Sequence, residues 1–461
     1  MGNEAAAKAD QKVNETTAKL LGRIERWPIT SYHLKIRAFV GTANLFDGID
    51  SMTIGLVLPV LGPLWHLTPG SVGLLISGGF LGQMVGSAGF GRLAERWGRI
   101  PLLVLTTAIF ALANISSALA VGFASLFVLR IIQGLGLGAE VPVASSYLNE
   151  IAPAKKRGRF VLLFEFAFAF GIFASGFLGR WIIPNFGWKA MFLAGGIPPL
   201  LVLPGIYWSP ESPRWLIGRG RLSDAEKVIS RIEEKIRATG RTLPPPSEFV
   251  FPAPVAPSRW RDLFSQDYWL RTLVIWTMWI TIGFISWPVV IWLPSIYRSV
   301  FHLPLEQTLN YALANNCIIL VGTLSCVFLI DITGRKKWFA GCFAVAAVAL
   351  VVLGVSGVRT ATQVFALTIP TIFCITSLNM AVWLYTCELY PTRMRAAGCG
   401  LGMALSKIAG MIAPPIMGWG IAGGGLALVF IALGIISAAA FLILATLAVE
   451  TRGRVLEEVS P

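Results

Sequence analysis

Residues 44–59 read NLFDGIDSMTIGLVLP, an apolar stretch that carries two acidic side chains, Asp47 and Asp50. The stretch lies within a hydrophobic run over 37–60, which is long enough to cross a bilayer as one helix. Because the two carboxyls lie three residues apart, they share a face of that helix. A charged aspartate at the bilayer centre costs about 2.5–3.5 kcal/mol on insertion scales, so such residues face a bundle interior, pair with a cation or carry protons. The stretch therefore predicts a membrane-spanning helix with a functional acidic face.

The composition of the whole chain indicates a membrane protein. Of 461 residues, 55% are hydrophobic and 13% are charged, whereas soluble proteins carry about 25% charged residues. Twelve apolar runs of span length recur, at 37–60, 70–91, 100–121, 124–148, 159–182, 188–208, 271–297, 309–330, 338–357, 361–386, 396–420 and 424–448. The pattern predicts an all-α integral membrane protein with twelve transmembrane helices, six on each side of a polar central segment.

The basic residues predict the orientation of these spans. Of the 38 Lys and Arg residues, 32 lie in the tails and loops on the side of both termini, 4 lie in the opposite loops and 2 lie within spans. Cytoplasmic loops carry the excess of Lys and Arg, so both termini are predicted to be cytoplasmic. The net charge of +14 is thus a topology signal, and we expect a lipid bilayer and no nucleic acid as partner.

Short motifs repeat between the two halves of the chain. The pairs are Gly98-Arg99 with Gly334-Arg335, Glu150 with Glu388, and Glu211 with Glu450, at offsets of 236, 238 and 239 residues. Such a duplication of six helices places a binding site near the bilayer midplane between the halves. The predicted units are a cytoplasmic tail (1–36), a first bundle (37–208), a linker with short helices (209–270), a second bundle (271–449) and a second tail (450–461). In the linker, Ser223 is predicted to cap a helix that ends near Arg237.

The loop over 91–99 reads GRLAERWGR, and the chain continues with Arg130-x-x-x-Gly134, PESPRWL at 210–216 and ELYPTRMR at 388–395. With these motifs the chain resembles the major facilitator superfamily, in its sugar-porter-type branch, over residues 90–454. The resemblance implies that acids and arginines at the cytoplasmic helix ends pair and hold that face shut. It assigns this gate to Glu95, Arg99, Glu150, Arg157, Glu211, Arg214, Asp331, Arg335, Glu388, Arg395 and Glu450.

Two further charges lie with Asp47 and Asp50 in the first half. Counting 1.5 Å per residue, Arg130 lies roughly 12 Å and Asp50 roughly 15 Å below the outer surface, so the two side chains can pair. Glu140 lies deeper, closer to the level of Asp47. We assign proton coupling to these four residues, with a static ion pair that only holds the first bundle together as the alternative for Arg130. Gly134 and Gly138, four residues apart, predict the close approach of a neighbouring helix.

Lys407 is the one intramembrane cation of the second half. It is predicted to face the cavity as the counter-ion of a substrate carboxylate, with packing or pairing to an acid as the alternative. Other candidate substrate contacts are polar or aromatic residues in spans, namely Glu165, Trp287, Asn315, Asn316, Asn379 and Trp383. For the asparagines the alternative is interhelical hydrogen bonding, and for Trp287 it is packing or contact with lipid. For Glu165 the alternative is a surface acid that snorkels to the interface. Trp292 and Tyr297 are expected at the membrane interface.

The segment Asp47-Gly48-Ile49-Asp50 resembles the D-G-x-D motif of bacterial aromatic-acid and metabolite:proton symporters, including nicotinate carriers. The Gln-Gln pair and the Gly-Pro-x-Pro-Trp run of sugar porters are absent at the matching places. We therefore predict proton-coupled uptake of a small organic anion, such as nicotinate or a hydroxybenzoate, by a monomer in the inner membrane. The alternatives are a sugar or polyol facilitator or symporter, and proton-coupled drug efflux. No enzyme motif, metal site or cofactor is predicted.

Overall fold

The computed structural model describes residues 15–152, 157–246, 260–266, 268–423 and 425–452. Before the first long helix, α1 covers 15–25. The first half then consists of α2 (Ser31–Leu64), α3 (Pro69–Trp97), α4 (Arg99–Ser117), α5 (Phe123–Ile151) and α6 (Arg157–Tyr207). The central segment forms α7 (Pro213–Gly218), α8 (Leu222–Arg237) and a 3-10 turn (Trp260–Phe264). The second half consists of α9 (Trp269–Ser299), α10 (Leu305–Thr333), α11 (Arg335–Val355), α12 (Ala361–Leu389), α13 (Thr392–Ala422) and α14 (Leu426–Leu447).

The helices confirm the prediction of an all-α membrane protein. Within the described residues, 11 helices are long and apolar enough to cross a membrane. One of them is α6, which breaks at Gly187, where φ is 80°. A glycine adopts this left-handed conformation without the steric penalty that a side chain brings. The break divides α6 into two segments, so the described residues contain twelve segments that correspond to the predicted spans.

The two halves repeat the same local geometry at the predicted cytoplasmic helix ends. Gly98 (φ 108°) separates α3 from α4, and Gly334 (φ 89°) separates α10 from α11. The carboxylate of Glu211 accepts hydrogen bonds from the backbone N–H groups of Arg99 (3.0 Å) and Ile100 (3.3 Å), which are the first residues of α4. An acid at a helix N-terminus satisfies orphan N–H groups and complements the helix dipole.

The second half reproduces this cap with Glu450. Its carboxylate accepts from the N–H groups of Arg335 (2.9 Å) and Lys336 (3.2 Å) at the start of α11. A Cβ on Gly334 would lie 2.5 Å from Glu450 Oε2, so only glycine leaves room for this carboxylate. The internal duplication read from the sequence is thus also a duplication of structure.

The halves meet along three seams, which pair α3 with α13, α6 with α10, and α2 with α9. Towards the predicted outer end these seams are tight, because a Cβ on Gly73 would lie 2.7 Å from the carbonyl oxygen of Pro414 and one on Gly55 would lie 2.9 Å from that of Ile291. At that same end Arg180 of α6 pairs with Glu306 of α10 at 2.5 Å. The two halves are therefore closed against each other at the predicted outer end.

Two aromatic residues of α9 differ from the sequence expectation. Trp292 and Tyr297 were expected at the membrane interface, but they are 1% and 0% exposed and pack in the core. Tyr297 lies against Tyr311 of α10, with ring centroids 4.9 Å apart. Their position near a span end matched an interface belt, but the side of α9 that carries them faces other helices.

The central segment packs against α1. A small apolar cluster joins α1, α7 and α8, and it consists of Leu20, Ile24, Trp27, Leu216, Ala225, Ile229, Ile232 and Ile236. Beside it, the buried carboxylate of Glu233 accepts hydrogen bonds from Arg23 of α1 (2.8 Å) and from Arg26, which directly follows α1 (2.8 Å). The helix predicted after Ser223 is present and ends at Arg237, but it begins at Leu222. Ser223 is therefore not its N-cap, as was predicted. Most of the proline-rich linker after it lies outside the described residues.

The Glu233 cluster predicts a pH-dependent contribution to stability. Burial opposes ionisation of this carboxyl, but the hydrogen bonds and charges of Arg23 and Arg26 outweigh it and hold the pKa of Glu233 below its usual range. An acid with a depressed folded-state pKa stabilises the fold above its unfolded pKa, about 4.3, and loses this contribution as the pH falls below it. We expect Glu233→Gln to lower the melting temperature at pH 7 and to match the wild type near pH 3. The same effect in Glu234→Gln, an exposed neighbour, would contradict this account.

Candidate functional site

Gly48 lies between the two acids of α2 and sets their position. A Cβ on Gly48 would lie 2.2 Å from the carbonyl oxygen of Phe168, and one on Gly171 would lie 2.0 Å from that of Leu45. The backbones of α2 and the first part of α6 are therefore in direct contact. The amide of Asn44 adds a hydrogen bond to the carbonyl oxygen of Phe164, at 2.9 Å.

Asp50 is 0% exposed and lies between α4 and α5. Its Oδ1 accepts a hydrogen bond from Nδ2 of Asn114 at 2.8 Å, and its Oδ2 lies 3.6 Å from a guanidinium nitrogen of Arg130. The same nitrogen of Arg130 donates to Oε1 of Gln133 at 2.6 Å. The structure thus brings together the two residues that were matched by depth, and it adds two amides. Asn114 and Gln133 were not predicted, although each is a polar residue within an apolar span.

Glycines of α3 and α5 make room for Arg130. A Cβ on Gly79 would lie 2.7 Å from a guanidinium nitrogen of Arg130. Cβ atoms on Gly134 and Gly138 would lie 2.3 Å and 2.1 Å from the carbonyl oxygens of Gly79 and Gln83. The close helix approach predicted from Gly134 and Gly138 is confirmed, and the approaching helix is α3.

This contact predicts a large penalty for a single methyl group. We expect Gly138→Ala to destabilise the protein by about 1–3 kcal/mol, because the new Cβ meets backbone that must move. The matched control is Gly341→Ala on α11, where nothing lies within 4 Å of the added atom. There the better helix propensity of alanine should leave the melting temperature unchanged or slightly raised. Equal melting temperatures for the two variants would show that the α3–α5 contact does not limit stability.

Asp47 and Glu140 form a second group of acids. Asp47 accepts a hydrogen bond from the Ser51 hydroxyl at 3.3 Å. Glu140 is 1% exposed, and neither of its carboxylate oxygens has a hydrogen-bond partner among the described residues. The two carboxyls interact electrostatically with each other, and Asp47 also interacts with Lys407. The buried carboxylate of Glu140 is therefore costly to keep in its charged form.

Lys407 lies on α13 where this helix faces α3 of the first half. Its ammonium donates a hydrogen bond to the side-chain oxygen of Gln83 and lies 5.8 Å from the centroid of the Phe80 ring. Among the described side chains it forms no ion pair within 4.0 Å. Gln83 and Phe80 were not predicted as site residues, and neither has a signal in the sequence beyond its position in an apolar span.

Two of the predicted substrate residues connect the halves in this state. Asn316 of α10 donates to the carbonyl oxygen of Ile172 (2.9 Å) and to the Ser175 hydroxyl (3.0 Å) on α6. Trp287 of α9 packs edge-on against Phe168 of α6, with centroids 6.0 Å apart. Both contacts follow the seam between the halves, close to α2.

The other predicted substrate residues differ from one another in their contacts and exposure. Asn379 donates to the Ser286 hydroxyl at 2.7 Å within the second half. Trp383 is 43% exposed and meets Trp279 edge-on at 4.9 Å. Asn315 lines a small cavity of about 10 Å³, which holds no more than a water molecule. Glu165 is half-buried on the first part of α6.

The predicted gate residues form matching clusters at the ends of both halves. Arg99 pairs with Glu150 at 2.9 Å, and Arg335 pairs with Glu388 at 3.0 Å. Arg335 also contacts Asp331 at 2.7 Å. Each cluster includes the capping acid described above, Glu211 or Glu450. All these pairs lie within one half, so they brace the helix ends of each half.

Two predicted gate residues, Glu95 and Arg395, have other contacts, and a third is not described. The side chain of Glu95 is exposed and forms no ion pair with a described side chain, whereas its carbonyl oxygen accepts from Nε1 of Trp215 at 2.8 Å. Arg395 donates to the carbonyl oxygen of Tyr390 at 3.1 Å, and it forms no ion pair with an acid among the described side chains. The side chain of Arg157 lies outside the described residues.

Arg214 connects the first gate cluster to α1. Its Nε donates to the carbonyl oxygen of Glu150 at 3.2 Å, and its guanidinium pairs with Glu25 of α1. The sequence motif predicted the contact with the gate, but not the contact with the N-terminal helix.

Twelve membrane-spanning helices in two similar halves, with buried charges between them, define a membrane transporter and not an enzyme. The sequence profile of the family described as sugar (and other) transporter matches residues 65–461. The chain belongs to this family, which places it in the major facilitator superfamily.

Several known proteins are similar to this chain. The niacin transporter NiaP of Acinetobacter baylyi is 32% identical over 449 residues, which cover 95% of this chain and 99% of that protein. The gallate transporter of Pseudomonas putida is 29% identical, with 91% and 92% of the two chains covered. Among solved structures, a D-xylose–proton symporter superposes with a TM-score of 0.73 at 19% identity, with 92% and 99% of the chains covered. At this identity the superposition establishes the shared fold.

Proposed function

We propose that the protein carries a small aromatic carboxylate, such as nicotinate or a hydroxybenzoate, into the cell together with protons. The observation that carries the proposal is Lys407, a cation at mid-span whose described partner is the neutral amide of Gln83. A half-buried ammonium within a span gains most from a carboxylate, and the facing Phe80 ring offers an aromatic surface beside it. Relatives named for niacin and gallate transport support the same substrate class.

In the proposed mechanism the first half carries the proton. Asp50 holds Arg130 while it is ionised, because each side chain is the charge partner of the other. Protonation neutralises Asp50, releases Arg130 and changes how α2 is held against α5. Asp47 and Glu140 lie deeper and serve as the inner stage of the proton path. Proton and substrate then enter and leave the same central space, so one conformational cycle moves both.

The conformational change we propose is a rocking of residues 37–208 against 271–449. The closed outer seams and the Arg180–Glu306 pair support an inward-facing form as the described state. In the outward-facing form these contacts separate and the predicted cytoplasmic ends approach each other. The Arg99–Glu150 and Arg335–Glu388 clusters keep the ends of each half rigid during this movement. We place the protein as a monomer in the bacterial inner membrane, with both termini cytoplasmic.

A sugar or polyol is the second candidate substrate. The PESPRWL motif at 210–216 and the fold shared with D-xylose symporters favour it. The lysine argues against it, because a neutral sugar offers the Lys407 ammonium no negative charge in the membrane.

Binding to the purified protein discriminates between the candidates. We expect labelled nicotinate to bind and to be displaced by unlabelled 4-hydroxybenzoate, but not by D-xylose. Nicotinamide is the matched control, because it keeps the ring and replaces the carboxylate with a neutral amide. It should bind at least about tenfold more weakly, since a hydrogen bond to a charged group is worth about 1.5–3 kcal/mol. Binding of D-xylose without binding of either acid would refute the proposal.

A further inference from the structure

The contact between Lys407 and Gln83 joins the two halves of the transporter at the proposed substrate site. Lys407 belongs to α13 and Gln83 to α3, and their side chains meet where these two helices face each other. One turn before Gln83, Phe80 of the same helix lies beside the ammonium. One turn earlier again, the Ser77 hydroxyl donates to the carbonyl oxygen of Met411 on α13, at 2.6 Å. Three residues at successive turns of α3, namely Ser77, Phe80 and Gln83, therefore contact α13.

The backbone of Gln83 packs closely against α5, the helix that carries Arg130. A Cβ on Gly138 of α5 would lie 2.1 Å from the Gln83 carbonyl oxygen and 2.6 Å from its Cα. The backbone of Gln83 thus has no freedom to move away from α13. The amide can reach Lys407 only because α3 and α5 are packed so closely, and the same packing holds Arg130.

We infer that the side-chain oxygen of Gln83 binds the Lys407 ammonium in the empty carrier, and that the substrate carboxylate displaces this oxygen when it binds. This inference rests on the proposed function. An ammonium at mid-span is costly when it has no acceptor, so the empty site needs an internal acceptor. A neutral amide satisfies the ammonium, but it binds it more weakly than a carboxylate does. The exchange is therefore favourable, and it removes a contact between the halves when the substrate arrives.

The inference distinguishes two substitutions that an ordinary substrate contact would not. Gln83→Glu supplies a permanent carboxylate, which pairs with Lys407 and should raise the Kd for nicotinate at least about tenfold. Gln83→Leu removes the competing oxygen and should leave the Kd unchanged or lower it. Gln307→Glu is the matched control, because Gln307 is exposed at the predicted outer end of α10. It should bind nicotinate as the wild type does.

A second measurement tests the contact without any substrate. In the ligand-free protein, Gln83→Glu should raise the melting temperature, and the gain should vanish when Lys407→Gln is added. A double-mutant cycle of this kind isolates the interaction between the two side chains. A coupling of zero, with normal nicotinate binding by the wild type, would overturn the inference alone.

The remaining outcomes are equally decisive. Equal losses of binding in Gln83→Glu and Gln83→Leu would make Gln83 an ordinary substrate contact and overturn the exchange. Binding by Gln83→Glu that matches the wild type would overturn it as well. A wild-type protein that binds neither nicotinate nor 4-hydroxybenzoate would refute the proposed function, and with it the exchange, whatever the melting temperatures.

Discussion

Asp50→Asn is expected to abolish uphill accumulation of the substrate while substrate binding persists. Asparagine has the shape of aspartate and can still accept the hydrogen bond from Asn114, but it has no proton to exchange. Vesicles that contain the variant should equilibrate labelled nicotinate and never concentrate it, with or without a pH gradient. Uptake that remains uphill and sensitive to an uncoupler would show that Asp50 is not the coupling residue.

The same substitution has an expected cost in stability. Arg130 is buried, and its charge partner in the described structure is Asp50. Removing one member of a buried pair leaves the other charge uncompensated and costs about 3–5 kcal/mol. The double variant with Arg130→Gln should regain most of this stability without regaining coupling. Asp224→Asn, on the exposed side of α8, is the matched control and should change neither accumulation nor melting temperature appreciably.

Lys407→Gln is expected to remove most of the affinity for an aromatic carboxylate. Loss of a hydrogen bond between ions is worth about 1.5–3 kcal/mol, which corresponds to a Kd that rises about 10- to 150-fold. The preference for nicotinate over nicotinamide should disappear in this variant, because the charge that distinguishes them is gone. Both ligands are measured by competition against the same labelled probe.

The control for this prediction is Lys189→Gln, which deletes a charge at an exposed position near Trp188. It should leave both affinities unchanged. A variant of Lys407 that still discriminates nicotinate from nicotinamide would show that another group binds the carboxylate. The remaining basic residue of the proposed site, Arg130, would then be the first candidate.

The features that could be predicted from the sequence are those that depend on the position of a residue along the chain or along the membrane normal. Span number follows from hydrophobic length, and the level of a residue within a span follows from the rise per residue. That level was enough to match Asp50 with Arg130, which are in contact. The repeated motifs were enough to pair Glu211 with Glu450, which cap corresponding helices.

The parts that sequence missed depend on how the helices are rotated about their axes. Asn114, Gln133 and Gln83 reach the buried charges from neighbouring helices, and no pattern within one span gives that direction. The same missing information on helix rotation explains the wrong expectation for Trp292. Its depth in the membrane matches the interface, but its side of the helix faces the core. For α1 a signal was present and unused, because Leu20, Ile24 and Trp27 recur at helical spacing in an otherwise polar tail.

The central claim is that proton movement and aromatic carboxylate movement are one process. Proteoliposomes loaded with a pH-sensitive dye test it directly when nicotinate is added outside without any imposed gradient. The account predicts that the lumen of wild-type vesicles acidifies as labelled nicotinate enters, and that Asp50→Asn vesicles take up nicotinate without acidification. Nicotinate entry into wild-type vesicles with no change in lumenal pH, or acidification driven by D-xylose in place of nicotinate, would contradict it.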